Sequence, residues 1–331
     1  MTVRNSRYPT LLDIAKMLDP DGKPARLINM LTQVNPMFDD MPFFEGNLET
    51  GHRATLVTSL PAPAYRAMNE GVLNTKGTTD QVDFGCALLN DFSSIDVELA
   101  NLGGNSGMAR LNNAQLHLEG MAQKAASTFF YGNSRTSPKE FTGMAYYYSD
   151  AAAESGENMI DAGGAGSDNS SIYLVGWGMD KVFGIYPKGS QVGLQHKDHG
   201  IQIEQNAGGV TGAQLSVFKD EWIWRHGLVV ADWRFAARAH SIDISNLTGG
   251  GAADIINLMS KLWHRIHNIN VCKPVYYMNR TIFQFLDEQR YDGVKAGGGI
   301  TYENVDGKAI PFFRGIPIKI TDALLETEAN I

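Results

Sequence analysis

Sulfur chemistry, clustered positive charge and long apolar runs are all scarce in this chain of 331 residues. Its two cysteines, Cys86 and Cys272, are too few for a disulfide framework and too far apart for metal-ligand spacing, which suits folding in a reducing cytoplasm. Charged residues make up 19%, with 28 Lys and Arg against 36 Asp and Glu, a formal charge of -8. Neutralising phosphates takes clustered cations, so a protein that reads DNA through a basic face is excluded. The apolar run after Arg4 and Arg7 is broken by Asp13 and Lys16, and no stretch reaches the ~20 apolar residues of a membrane helix. A chain neither exported nor membrane-embedded is expected. Gly103-Gly104-Asn105-Ser106-Gly107 precedes a helical pattern but lacks both the Lys-Ser/Thr ending of a phosphate loop and the spacing of a dinucleotide fingerprint. No cofactor, no metal and no catalytic residue is therefore expected, and the chain reads as something other than an enzyme.

Apolar residues make up 43%, enough for a sizeable core, and 35 glycines imply many turns and surfaces buried against neighbours. Short helical stripes at 10–18 and 27–31 are too brief to be stable alone, so they are expected to dock elsewhere, as on a neighbouring subunit. The stretch 43–74 reads as an extended hairpin, with Gly46-Asn47 and Gly51 as turn chemistry and a strand over 54–59. The longest helix is predicted over 108–130, where Leu111, Ala114, Leu118, Met121, Ala122, Ala125 and Phe129 form one stripe. The small-residue stretch 151–170 predicts a mobile loop, and 172–175 with 182–186 a hairpin around Gly178-Met179-Asp180. Alternation continues at Ile201, Ile203, Leu215 and Val217, and then as one long strand over 228–244. A helix with the stripe Ile255, Ile256, Met259, Leu262, Trp263 and Ile266 follows, with Trp263 in the core. A strand over 271–277, a helix capped by Asn279, and strands near 310–313 and 316–320 complete the chain.

Polar candidates are few. His52 and Arg53 have no carboxylate or nucleophile at recognisable spacing, and read as turn or interface groups. On the strand over 228–244, Asp232, Arg234, Arg238 and His240 share the face opposite the core, suited either to ion pairs or to solvent. His196, Asp198 and His199 lack a fourth ligand. His264 and His267 read as exposed or hydrogen-bonded.

Five segments, taken in order, resemble one family: Tyr8-Pro9-Thr10-Leu11-Leu12-Asp13; Glu45-Gly46-Asn47 with Gly51-His52-Arg53; Gly227-Leu228-Val229-Val230 with Asp232-Trp233-Arg234; Tyr277-Met278-Asn279-Arg280; and Gly315-Ile316-Pro317-Ile318. Together they are similar to the major capsid proteins of short-tailed double-stranded DNA bacteriophages of the epsilon and Bordetella podovirus type. The resemblance implies an α+β, Hong Kong 97-type fold. Its parts would be an N-arm over 1–40, an E-loop-like hairpin over 41–77, a P-domain over 78–150 with its spine helix at 108–130, and an A-domain with returning P-domain strands over 151–331. It further implies pentamers and hexamers that close an icosahedral head around packaged double-stranded DNA, contacted non-specifically, with a portal at one vertex. His52, Arg53, Asp232, Arg234 and Arg238 become candidate intersubunit contacts. Some relatives begin with a cleaved scaffolding segment, whereas this chain opens almost at the arm, which implies a separate scaffolding protein. No lysine lies between Lys23 and Lys76, which argues against covalent crosslinks through the hairpin and for noncovalent overlap with a cement or decoration protein as a further partner. The virion, assembled in the bacterial host cytoplasm, is the implied location. An encapsulin-like nanocompartment shell is the alternative on the same fold, and a hydrolase using His52 or His196 a distant third.

Overall fold

A computed structural model describes residues 33, 35–101, 105–205, 211–247, 253–291, 300–305 and 308–331. The expected helices at 10–18 and 27–31 lie outside them. In chain order the first elements are α1 (Met37–Asp40), β1 (Phe43–Glu45), β2 (Gly51–Ser59), β3 (Thr78–Gly85), β4 (Ala87–Asp96), α2 (Val97–Asn101) and α3 (Ser106–Tyr131). Then come α4 (Met144–Tyr147), β5 (Met159–Asp161), β6 (Asn169–Trp177), β7 (Val182–Tyr186), β8 (Leu194–Gln205), β9 (Gln214–Val230) and β10 (Ala236–Asp243). The last are α5 (Ile255–Arg265), β11 (Lys273–Met278), α6 (Arg280–Tyr291), β12 (Ile300–Val305), β13 (Lys308–Phe313) and β14 (Ile316–Ile320). They form two compact units, each built from segments far apart in sequence.

The first unit contains Leu88–Ser127 and Gly193–Arg225. Its helix, α3, starts where the Asn105 side chain accepts a hydrogen bond from the Met108 amide, a cap for one of the orphan donors of a helix start. At 26 residues it is about 39 Å long. Ala114 and Met121, with Leu118, pack on Trp222, Trp224 and Leu89, while Ile95, Leu99 and Ala100 close with Ala109 and Phe218. The even-numbered residues of β9 thus face the helix, as alternation requires. Between these apolar patches runs a polar seam. Arg110 holds Asp220 at 2.7 Å and Asp198 at 2.8 Å, and the Trp222 ring lies between the stacked rings of His117 and His196.

The second unit contains Pro36–Ala87, Thr128–Val192 and His226–Ile331. Its sheet runs β12-β13-β14-β11-β6, with β10 on the other edge of β6 and β5 beside β10. Strand β6 is buried along its whole length, so its two faces serve two layers. Ile172 and Leu174 face α5 and α6, which contribute Ile255, Leu258, Met259, Leu262, Ile282 and Leu286. Burying each such side chain is worth about 1.5–3 kcal/mol, so this layer dominates the unit's stability. Tyr173 and Trp177 point the other way, onto Phe130 and Phe129. These phenylalanines sit just before Gly132, where a Cβ would collide with the Thr128 and Phe141 carbonyls, so glycine is required where the chain turns off the helix.

Three expectations are corrected here. Strands β6 and β7 are no hairpin: they touch only at Trp177 and Val182, because β6 is already flanked by β10 and β11 while β7 pairs with β1 and the end of β9. The stretch 151–170 is largely ordered, with a 3-10 turn at Glu154–Asn158 and β5, pinned where the Asn158 side chain donates to the carbonyls of Trp233 and Ala236. The single strand over 228–244 is two strands joined by a 3-10 turn at Trp233–Phe235, because the Asp232 carboxylate accepts from the Arg234 amide and caps it.

Candidate assembly surface

Strands β2 and β3 pair as a two-stranded antiparallel ribbon, from Gly51 opposite Gly85 out to Ser59 opposite Thr78. Its base packs on the rest of the second unit, to which it belongs, through Phe84, Ala54 and Val82, which meet Phe183, Ile185 and Val229. Close approach sets the geometry there: a Cβ on Gly51 would strike the Phe84 carbonyl, and one on Gly46 the Gly51 carbonyl. Beyond Ser59 the chain runs through residues 60–77 without a regular element, and every one of these residues is exposed. Five are large and apolar: Leu60, Tyr65, Met68, Val72 and Leu73, with Tyr65 and Met68 wholly solvent-facing. A monomer at rest in water gains nothing from so many large apolar side chains on one exposed segment.

The ribbon is stiffened at its root. Arg53 and Asp83, opposite each other in register, form a two-pronged pair at 2.6 and 2.7 Å, and the Asn47 side chain bridges the Arg53 amide and carbonyl. The hydrogen bond from Arg53 is the main reason the Asp83 carboxyl titrates below its ordinary range. His52 stands beside it with its ring edge-on to Phe183. Asp232 and Arg234 pair at 2.7 Å on the 3-10 turn rather than along a strand; burial pushes the Asp232 carboxyl up, but the Arg234 hydrogen bonds outweigh it and the net shift is downward.

Arg238 departs from expectation. It is 3% exposed, so its guanidinium faces the interior and cannot meet another subunit. It donates to Glu328 at 2.8 Å, to the Ser171 hydroxyl at 3.1 Å and to the Tyr148 carbonyl at 2.9 Å, and lies over the Tyr173 ring. Tyr131 and Ser171 also donate to Glu328. His240 is buried too, where desolvation first and the Arg238 charge second lower its pKa below the ordinary 6.5. Glu328 carried no signal in the sequence, since one acid among Glu326, Glu328 and Asn330 looks like a solvated tail. Lys76, two residues before β3, falls inside the exposed segment, so the lysine argument against crosslinks through this hairpin loses its basis.

The remaining candidates do not converge on a site. His196 pairs with Asp220 at 3.0 Å, His199 with Glu221 at 2.7 Å, and Asp198 with Arg110. No group of three potential metal ligands occurs among the described residues. Trp263 is half-buried beneath the Arg314 guanidinium rather than in the core. No described helix is long and apolar enough to cross a membrane.

These pairings fix the response to acid. Arg110 holds Asp198 below its ordinary 3.8, and His199 holds Glu221 below 4.5. With His240, each group favours its unprotonated form more in the fold than in the unfolded chain, so the stability is present above the ordinary value and lost as pH falls through the lowered one. The thermal midpoint is expected to be flat between pH 6.5 and the ordinary cysteine value of 9.0, to decline in acid as His240 is forced to protonate, and to fall further below pH 4.5. A midpoint that climbs between pH 6 and 4 would contradict these assignments.

A two-stranded ribbon with an exposed tip, a long helix laid on a sheet and a helix-covered second sheet define a fold of α+β class. The fold is of the Hong Kong 97 type. A chain in the cryo-EM structure of bacteriophage Epsilon15 is similar over 100% of this chain and 99% of its own, at 28% identity and a TM-score of 0.78. Weaker likenesses, which carry no argument, are to the bacteriophage JBD30 capsid (9% identity, 79% and 84% covered, TM-score 0.43) and the SrpI encapsulin of Synechococcus elongatus PCC 7942 (11%, 66% and 92%, 0.42). No curated protein sequence matches. Residues 19–331 match the family described as major capsid protein GP7, and the chain belongs to that family. It is a capsid protein and part of the virion, and the family is one of shell components rather than enzymes.

Proposed function

We propose that this subunit self-assembles into pentamers and hexamers that close an icosahedral phage head around double-stranded DNA. The observation that carries this is the segment 60–77, whose Leu60, Tyr65, Met68 and Leu73 are 80% or more exposed in the single chain. Identical subunits that each offer an apolar tip and receive a neighbour's bury that surface at every lattice point, and many modest contacts add up through multivalency. On this proposal residues 1–40 act as an N-arm, 41–77 as the E-loop, 78–150 with the spine helix as the P-domain, and 151–331 as the A-domain with returning P-domain strands. His52 and Arg53 support the ribbon, and Asp232 with Arg234 offers a rim pair to a neighbour. A separate scaffolding protein, a portal at one vertex and, as an addition, a cement protein are the partners. Assembly takes place in the host cytoplasm, and DNA is confined without base-specific contact, as the net charge of -8 favours.

Expression of the chain alone and with its neighbouring genes, followed by negative-stain imaging of the high-mass fraction, is expected to show closed shells, tubes or capsomer rings. A small monodisperse species under both conditions would remove this function. Co-purification of one cargo enzyme inside the shells would instead favour the nanocompartment.

A further inference from the structure

In the second unit, helix α5 and the turn between β13 and β14 bring together cations that the rest of the chain would be expected to neutralise. Lys261, His264 and Arg265 are exposed on the last two turns of α5 and line a cavity of about 470 Å³ with Ser260 and the β5 residues Met159, Ile160 and Asp161. Arg314 does not line this cavity but stands beside it, from the other element: its guanidinium donates to the Ser260 hydroxyl at 3.0 Å, lies 3.5 Å from the His264 ring and covers Trp263.

Three features describe the cluster. The chain has 36 acids to 28 Lys and Arg, and Arg53, Arg110, Arg234, Arg238 and Arg280 each hold a carboxylate within 3.1 Å. Yet among the described residues no carboxylate pairs with Lys261, Arg265 or Arg314. Second, the helix C-terminus accounts for cations on α5, but not for an arginine converging from another turn. Third, Arg314 sits at φ +51°, a left-handed conformation normally left to Gly, Asn or Asp, followed by Gly315 at +79°. The two residues form the tight turn that pairs Phe313 with Ile316, which needs positive φ at both positions and fixes where the Arg314 side chain starts.

We infer that this basic hollow receives an acidic segment of a second copy of this chain during assembly, an inference that rests on the self-assembly proposed above. Charge complementarity favours that occupant: every neighbour brings a net charge of -8, and carboxylates arrive in step with subunits. A nucleic-acid backbone fits less well, because it needs cations spread along a stripe, whereas these are confined to one hollow with the Asp161 carboxylate at its edge and the apolar Met159 and Ile160 in its lining. A glutamate, with an aliphatic stem and an anionic head, matches such a lining.

The test uses particles assembled from mixed light and nitrogen-15-labelled full-length subunits, treated with a zero-length carbodiimide that joins amines to carboxylates in contact. A Lys261-to-carboxylate link between a light and a heavy copy, enriched at least about tenfold over unassembled subunits because docking raises the effective concentration, is the result expected. Lys261 unreacted, or linked only within its own copy, overturns the inference while leaving self-assembly intact. Lys261 shielded from acetylation only in DNA-filled particles overturns it in favour of phosphate. Failure of the unmodified chain to form particles at all removes the self-assembly proposal itself, and this inference with it. The double variant Lys261→Glu/Arg265→Glu is expected to cut particle yield about tenfold at an unchanged unfolding temperature of the free subunit, and the control Lys139→Glu/Lys188→Glu to leave the yield unchanged; equal yields from both variants overturn the inference.

Discussion

Glu328→Ala is expected to destabilise the subunit by about 3–5 kcal/mol, seen as a lower urea midpoint with an unchanged slope, because it strands a charge in the interior. Arg238 and Glu328 are 4% and 5% exposed at the side chain. Without the carboxylate, the guanidinium keeps only the Ser171 hydroxyl, the Tyr148 carbonyl and the Tyr173 face, none of which carries a compensating negative charge. The Tyr131 phenol, pushed well above its ordinary pKa first by burial and then by the nearby Glu328 charge, loses its acceptor as well. The double variant Arg238→Met/Glu328→Leu separates charge burial from packing, since removing both charges is often far less costly than removing one. It should recover most of the lost stability. If the single variant matched the parent midpoint, or the double variant were worse than the single, the pair would not hold this part of the fold.

Excising the ribbon tip should have the opposite profile, with folding preserved and assembly lost. Ser59 and Thr78 already face each other in register, so residues 60–77 can be replaced by Asn-Gly, which suits a two-residue antiparallel turn. Shortening an 18-residue connection to two lowers the loop-closure cost by about 2 kcal/mol, so the free subunit should be as stable as the parent or more so. The exposed Leu60, Tyr65, Met68, Val72 and Leu73 go with the segment. Particles are expected to be undetectable by sedimentation at concentrations where the parent assembles fully. Normal particles from this variant would show that the apolar tip takes no part in the lattice.

Local patterns that the fold leaves in place were legible in the sequence. The helical stripe predicted over 108–130 is α3, because Ala114, Leu118 and Met121 meet the tryptophans of β9, although Leu111, counted in the stripe, is 52% exposed; the Asn279 cap is present, with its side chain accepting from the Thr281 amide. Alternation failed where distant segments intervene. Arg238 and His240 occupy positions that a two-residue period assigns to a polar face, but residues 128–131 and the segment around Glu328 cover that face, and Glu328 supplies the counter-charge from 90 residues away. The hairpin over 43–74 was placed too early, because its return strand, β3, begins only at Thr78, after a segment that its prolines and lack of periodicity mark as irregular without showing its length. Of the candidate contacts, Arg53 and Asp83 gave no sign of pairing, since the register that joins them is set by the long connection between them.

The interleaving of the two units also bears on how this gene can change. Between Pro36 and Ile331 the chain passes from one unit to the other four times, at 87/88, 127/128, 192/193 and 225/226. A single recombination crossover anywhere in that interval delivers at least one unit as a hybrid of two parents, with its packing partners drawn from both. Neither unit can be exchanged as a cassette. Its cores must diverge by paired, mutually tolerated substitutions, while the ribbon tip between Ser59 and Thr78, anchored only at its root, can change in one step without disturbing either core, so its limits are set by the lattice alone.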